Sequence, residues 1–145
     1  MCFCSPIDTV LNLGINDEAV QSLSRCTNNP RFAFDTYRRF LQMYGDVVLG
    51  IDKEKYETIL SETRARRGVE HDCDLQTADL QYVVEQFKAL GNVPMDPWEQ
   101  LRCAIEAVFC SWYNPRAVTY RDIHNIPQDM GTAVTIQSMV YGNLK

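Results

Sequence analysis

The sequence predicts a mainly α fold: a helical bundle of about five to six helices. A minor β component is expected at its two ends, a short N-terminal extended segment and a C-terminal strand. Three observations carry this reading. Apolar residues recur at helical spacing, most strongly in Arg31–Val48, RFAFDTYRRFLQMYGDVV, where Phe34, Tyr37, Phe40, Leu41, Tyr44 and Val48 make one wide stripe. The periodic stretches are bounded by residues that start and stop helices. The pattern then changes in GTAVTIQSMVYG, Gly131–Gly142, where Val134, Ile136, Ser138 and Val140 alternate with Thr135, Gln137, Met139 and Tyr141.

In chain order, Asp8–Gly14, DTVLNLG, is a short apolar piece ending in glycine, a strand or an extended lead-in. Asn16 caps the first helix, whose opening turn carries Asp17 and Glu18 where the helix end is positive; Val20 and Leu23 face inward. Asn28-Asn29-Pro30 stops it, and Pro30 opens the second helix where a missing N–H costs least. Asp52 caps a third, with Tyr56, Ile59 and Leu60 inward, a basic last turn of Arg64, Arg66 and Arg67, and Gly68 as its left-handed stop. Val69–Asp74 is a loop. Thr77 is expected to cap a fourth helix burying Leu80, Val83, Val84, Phe87 and Leu90. Asp96-Pro97-Trp98-Glu99 combines cap, N1 proline and a glutamate three residues on. The fifth helix it opens is expected to bury Trp98, Leu101, Ile105, Val108, Phe109 and Trp112. Asn114-Pro115 breaks it, and Arg116–Ile126 reads as a further short helix or a helical turn plus loop. A last strand needs a neighbour, either Asp8–Gly14 or another chain.

At 145 residues the chain is one domain, long enough for a proper core. A net charge of −5 argues against a non-specific nucleic-acid binder. No apolar run could span a bilayer, and the N-terminus lacks the layout of a secretory signal, so a cytoplasmic location is expected. The six cysteines read as reduced thiols, with Cys103 and Cys110 on the apolar side of one helix. Cys2-x-Cys4 and His71 with Cys73 lack the partners of a metal site. No phosphate-binding glycine loop, GxSxG or HExxH occurs. Among the charged residues Arg38 and Arg39 stand out. They are about 100° apart on a helix, so packing can use at most one of them. The other must reach solvent, a carboxylate or an anion, and a guanidinium fork suits phosphate oxygens.

Three stretches carry a resemblance: DTVLNLGIND at Asp8–Asp17, RFAFDTYRRFLQMYGDVV at Arg31–Val48, and FCSWYNPRAVTYRDIHNIPQDMGTAVTIQSMVYGN at Phe109–Asn143. They resemble the N-terminal, ATP-grasp-like nucleotide-binding domain of pyruvate phosphate dikinase, and GVEHDCDLQTADL and DPWEQL fit the same domain. The family interconverts ATP, phosphate and pyruvate with AMP, pyrophosphate and phosphoenolpyruvate, through a swinging phosphohistidine and with divalent metal. The resemblance implies ATP and Mg as family cofactors. It implies that Arg39, matching the second arginine of the family's YRRF, contacts the ATP phosphates. It places Asp8, Thr9 and Asn12 in a loop near those phosphates, and Gln137, from the GTAVxxQ strand, along the nucleotide cleft. Arg116 and Arg121 receive no role.

The departures from the family limit what is expected. CFCSPIDT replaces the family's MPGMMDT, so Ser5 and Pro6 stand where a glycine would approach phosphate. Upstream ATP-binding basic residues and downstream metal-holding acids have no counterpart. Neither His71 nor His124 lies in the carrier's T-S-H context. The chain is therefore expected to be a fragment. Residues 1–14 would be a remnant lead-in of the nucleotide-binding domain, 15–127 a helical subdomain, and 128–145 a strand of the ATP-grasp sheet. It would contribute phosphate contacts without catalytic or metal-binding residues of its own, and without turnover alone. The alternative is a non-catalytic helical interaction module. It would dock on the remaining dikinase domains, or on itself through the C-terminal strand, with no nucleic-acid or membrane partner.

Overall fold

The computed structural model describes residues 8–140. Six α-helices follow in order: α1 (Asp17–Thr27), α2 (Pro30–Val47), α3 (Lys53–Arg67), α4 (Thr77–Leu90), α5 (Pro97–Cys110) and α6 (Pro115–Ile123). Single 3₁₀ turns at Asp72–Asp74 and Ser111–Tyr113 lead into α4 and α6. The helix signals act as expected. Asn16 accepts from the amides of Glu18 and Ala19, Asp52 from Glu54, and Asp96 from Glu99. Gly68 closes α3 at φ 71°. Thr77, expected as a cap, is instead the first helical residue of α4. Gln76 precedes it, and its amide donates to Asp79 Oδ2 at 3.0 Å.

The organising element is α2. It packs against α1, α3, α4 and α5, and the expected stripe of Phe34, Tyr37, Phe40, Leu41 and Tyr44 is buried. Burying Phe34, Phe40 and Leu41 stabilises the fold by roughly 1.5–3 kcal/mol each. Around them lie Val20 of α1, Tyr56 and Leu60 of α3, and Leu80, Val83, Val84 and Phe87 of α4. Tyr56 meets Phe87 edge-on at 4.8 Å. The Tyr37 hydroxyl donates to Asp17 Oδ1 at 3.1 Å, and burial together with the Asp17 carboxylate holds its proton well above the usual phenol range. Lys88 of α4 closes on the same carboxylate at 3.0 Å.

The second half departs from expectation in two places. The apolar stripe of α5 is not absorbed by the core. Trp98 is 77% exposed and Phe109 is exposed, while Leu101, Ile105 and Val108 are half-buried along a cavity wall. Cys110, expected inward, is exposed, as are Cys26 and Cys73, and Cys103 is half-buried; all four are free thiols. The cause is geometric: α5 meets the bundle at α2 and packs Cys103 against the core, while Trp98, Leu101, Ile105 and Val108 line the cavity on its other side.

The expected C-terminal strand is not formed. Among the described residues none is in a β-ladder, and 131–140 run without regular structure. A strand needs a straight partner. The candidate neighbour, Asp8–Gly14, turns at Asn12 (φ 60°), with the amide of Ile15 donating to the Asn12 carbonyl at 3.3 Å. The two segments therefore face each other across a cavity rather than pair. Tyr141–Lys145, and the residues Cys2, Cys4, Ser5 and Pro6, lie outside the described residues. Among the described residues, no helix is long and apolar enough to cross a membrane.

The α2–α3 crossing depends on Gly45. A Cβ there would strike the buried Tyr56 ring, with Cζ at 2.6 Å and Cε2 at 3.3 Å. Gly45→Ala should cost about 1–3 kcal/mol from overpacking, read as a lower urea midpoint at unchanged slope. An unshifted midpoint would contradict this packing.

Candidate functional site

The paired arginines of α2 separate as the helical step requires. Arg38 is buried at 5% exposure. Its guanidinium donates to Asp35 Oδ1 at 2.6 Å from Nη2 and 3.2 Å from Nε. It also reaches Gln42 Oε1 at 3.3 Å and lies 3.8 Å from Asp72 Oδ2. Arg39 points out, with its side chain 65% exposed and Nη2 2.9 Å from Asp35 Oδ2. It lines a cavity of about 610 Å³ with Asn12, Asp35, Asp46, Lys53 and Met139. A buried Arg38 would have to shed its charge partners to serve a ligand, whereas Arg39 is exposed and makes a single ion pair among the described residues, through Nη2. The cavity balances two cations, Arg39 and Lys53, against two carboxylates, Asp35 and Asp46.

A second cavity, of about 560 Å³, runs along α5 between Asp8–Gly14 and Ala133–Met139. Asp8, Thr9, Asn12 and Gln137 all line it, and Trp98, Leu101 and Ile105 make its apolar wall. Four of the five site residues expected from the sequence thus share this cavity, and Arg39 lines the other. Leu11, Asn12 and Met139 belong to both, so the two cavities adjoin at the tip of the N-terminal loop. Asn12 Oδ1 is buried there without a hydrogen-bond partner among the described residues. Asp8 is committed elsewhere. Its Oδ1 accepts from Arg116 at 2.7 Å and its Oδ2 from Asn114 at 3.2 Å, while its amide donates to Ser111 Oγ at 3.3 Å. This gives Arg116 the task of holding the loop. Arg121 is likewise engaged, donating to the Trp112 carbonyl at 2.7 Å and stacking 4.0 Å above the Trp112 ring.

Two residues that shape these cavities have no sequence signal of their own: Lys53, which lines one, and Gln100, which lies behind the loop that lines both. Lys53 reads as an ordinary solvent lysine in the first turn of α3. Gln100 sits on the polar side of the α5 pattern, yet it is 1% exposed. Its Oε1 accepts from the amide of Gly14 at 2.9 Å, and its Nε2 donates to the carbonyls of Ile15 at 3.2 Å and Pro94 at 2.7 Å. One side chain therefore fixes the base of the loop that carries Asp8, Thr9 and Asn12. Gln100→Leu should strand three buried backbone groups and cost about 2–4 kcal/mol. It should also speed hydrogen exchange at the Gly14 amide well beyond the global change, and unaltered Gly14 protection would remove the clamp from the argument.

Comparison with known proteins addresses this architecture directly. Residues 3–144 match the family model described as pyruvate phosphate dikinase, AMP/ATP-binding domain. The chain is 51% identical over 144 residues to the pyruvate, phosphate dikinase of Rhizobium meliloti (strain 1021), covering 95% of this chain and 16% of that protein. It is 48% identical over 144 residues to the enzyme of Clostridium symbiosum, covering 94% of this chain and 16% of the relative. Against that of Giardia intestinalis it is 50% identical over 143 residues, covering 94% of this chain and 16% of the relative. The chain thus spans about a sixth of the length of these relatives, and it belongs to the pyruvate phosphate dikinase family, within the AMP/ATP-binding domain.

Proposed function

We propose that the chain is the helical part of a nucleotide-binding domain and that it contributes Arg39 to the phosphates of ATP. The observation that supports this is the division of labour on α2: Arg38 is spent inside, while Arg39 stands 65% exposed at a cavity mouth. Phosphoryl transfer from ATP is mostly positioning and charge neutralisation, which a guanidinium on a packed helix supplies. Asn12 and Thr9 would approach the same ligand from the N-terminal loop, with Gln137 across the neighbouring cavity. Asp8 would act on the loop through Arg116 rather than on phosphate, since its carboxylate repels an anion. Magnesium would arrive with the nucleotide. Among the described residues no group of three or more His, Cys, Asp or Glu is placed to hold a metal, so we assign it no protein ligand.

Two cations offset by two carboxylates make an affinity carried by this stretch alone weak. Calorimetric titration of ATP with magnesium into the chain should give measurable heat. Arg39→Ala should weaken binding roughly tenfold, the worth of a hydrogen bond to a charged group, about 1.5 kcal/mol. Equal affinities would take Arg39 out of the site.

We assign dikinase turnover to the larger protein and not to this stretch. His71 and His124 are both exposed, and His124 lies against the Tyr120 ring at 4.2 Å. Neither has the sequence context of a phosphoryl carrier. The purified 145-residue chain should form no phosphoenolpyruvate from ATP, phosphate and pyruvate, and steady formation would refute the assignment. The docking alternative, an edge strand over 133–141, would need a partner chain to order it, because 131–140 form no ladder with Asp8–Gly14.

A further inference from the structure

Asp35 lies between the two arginines by construction. On an α-helix, residues three and four positions later flank it at about −60° and +40° around the axis. One carboxylate can then hold two guanidiniums, and here it does: Oδ1 takes Arg38 at 2.6 Å and Oδ2 takes Arg39 at 2.9 Å. The Asp35 side chain is only 14% exposed. Behind it the contacts continue. Arg38 lies 3.8 Å from Asp72, and Asp72 accepts from Arg64 of α3 at 2.6 Å. Arg64, Asp72, Arg38, Asp35 and Arg39 thus alternate in sign from α3 through the Asp72–Asp74 turn to α2. Three positive charges and two negative charges leave one positive charge over, and the exposed end of the series is Arg39.

We propose that Asp35 is a positioning residue that fixes the Arg39 guanidinium toward the cavity lined by Asn12, Lys53 and Met139. This rests on the reading of Arg39 as a phosphate contact. Compensation by Arg38 is what makes the arrangement compatible with an anionic ligand. An isolated aspartate beside a phosphate site would repel the ligand, but Asp35 already carries a buried counter-charge on its other oxygen. An arginine side chain without an anchor samples many rotamers and must give them up on binding. Asp35 removes that cost beforehand by holding Nη2 and leaving the remaining donors of Arg39 toward the cavity.

The test has a ligand-free arm and a ligand arm, both on the full 145-residue chain. In the first, ¹⁵N relaxation reads the order of the Arg39 Nε–H, assigned by its loss in Arg39→Ala. It should be ordered in the wild type and mobile in Asp35→Asn. An Nε–H equally mobile in both would overturn the positioning role. In the second, ATP is titrated into the wild type, Asp35→Asn, Arg39→Ala and the double variant. Asp35→Asn should weaken binding roughly three- to tenfold with Arg39 present and have no further effect with Arg39 absent, the signature of coupled residues. The same loss in both backgrounds, or tighter binding by Asp35→Asn, would overturn the proposal. If Asp35→Asn fails to fold because Arg38 is left buried, Asp35→Asn combined with Arg38→Met removes both members of the pair, and the same loss of Arg39 order is expected. Unchanged ATP affinity in Arg39→Ala would instead overturn the phosphate role of Arg39, while the relaxation arm still decides the positioning.

Discussion

The roughly 100° step between neighbouring residues on α2 is the constraint on which the site rests. The helix commits one face to Phe40, Leu41 and Tyr44 and cannot rotate without exposing them. Arg38 is therefore carried into the protein, and Arg39 is carried out of it. A buried guanidinium is tolerable only when paired, which is why Asp35 and Asp72 flank it. The hydrophobic contacts of α2 thus set the direction of a charged side chain on its opposite edge. A sub-ångström shift in how α2 meets α3 and α4 would re-aim it.

The two halves of the chain are held by different physics. The α1–α4 bundle is a packed, largely apolar core that takes in Tyr37, Tyr44 and Tyr56. The α5–α6 half depends on specific polar contacts: Gln100 to Gly14 and Ile15 and Ser111 to Asp8 join segments distant in sequence, and Gln100 to Pro94 and Arg121 to Trp112 are local. Each of these satisfies a backbone or loop group that would otherwise be stranded. Apolar burial is non-directional, whereas these contacts fix position. The second kind is what a loop needs if it is to present Thr9 and Asn12 to a ligand.

The bundle was legible in the sequence because its signals are local. Caps such as Asn16, Asp52 and Asp96, and the stop at Gly68, act within one turn of chain, and the α2 stripe names its own buried residues. The α5 stripe was misleading for a reason of principle. Periodicity tells which face is apolar but not what covers it, so Trp98 and Phe109 were expected inside and lie outside. Alternation failed similarly over its described residues, 133–140, since β structure requires a second segment with a straight edge, and Asn12 bends the nearest one. Arg39 as the outward arginine followed from the helical step together with the family pattern. Gln100 and Lys53 had no such route. Their significance comes from what the fold brings near them, and a single polar residue in a helix pattern carries no trace of a partner 85 residues away.

The Asp8 contacts bear on the order in which the molecule assembles. They join positions 106 and 108 residues apart, Asn114 and Arg116. The contacts within α1–α4, by contrast, span shorter stretches: α1 with α2 and α3 with α4 are neighbours along the chain, and α2 with α4 are one helix apart. Closing so long a span yields nothing until both ends have arrived, and its entropic cost rises with length. The bundle can condense first and serve as the platform on which the N-terminal loop later settles. The part of the protein that lines both cavities is then the last to form and the first to release, a loose jaw on a firm body.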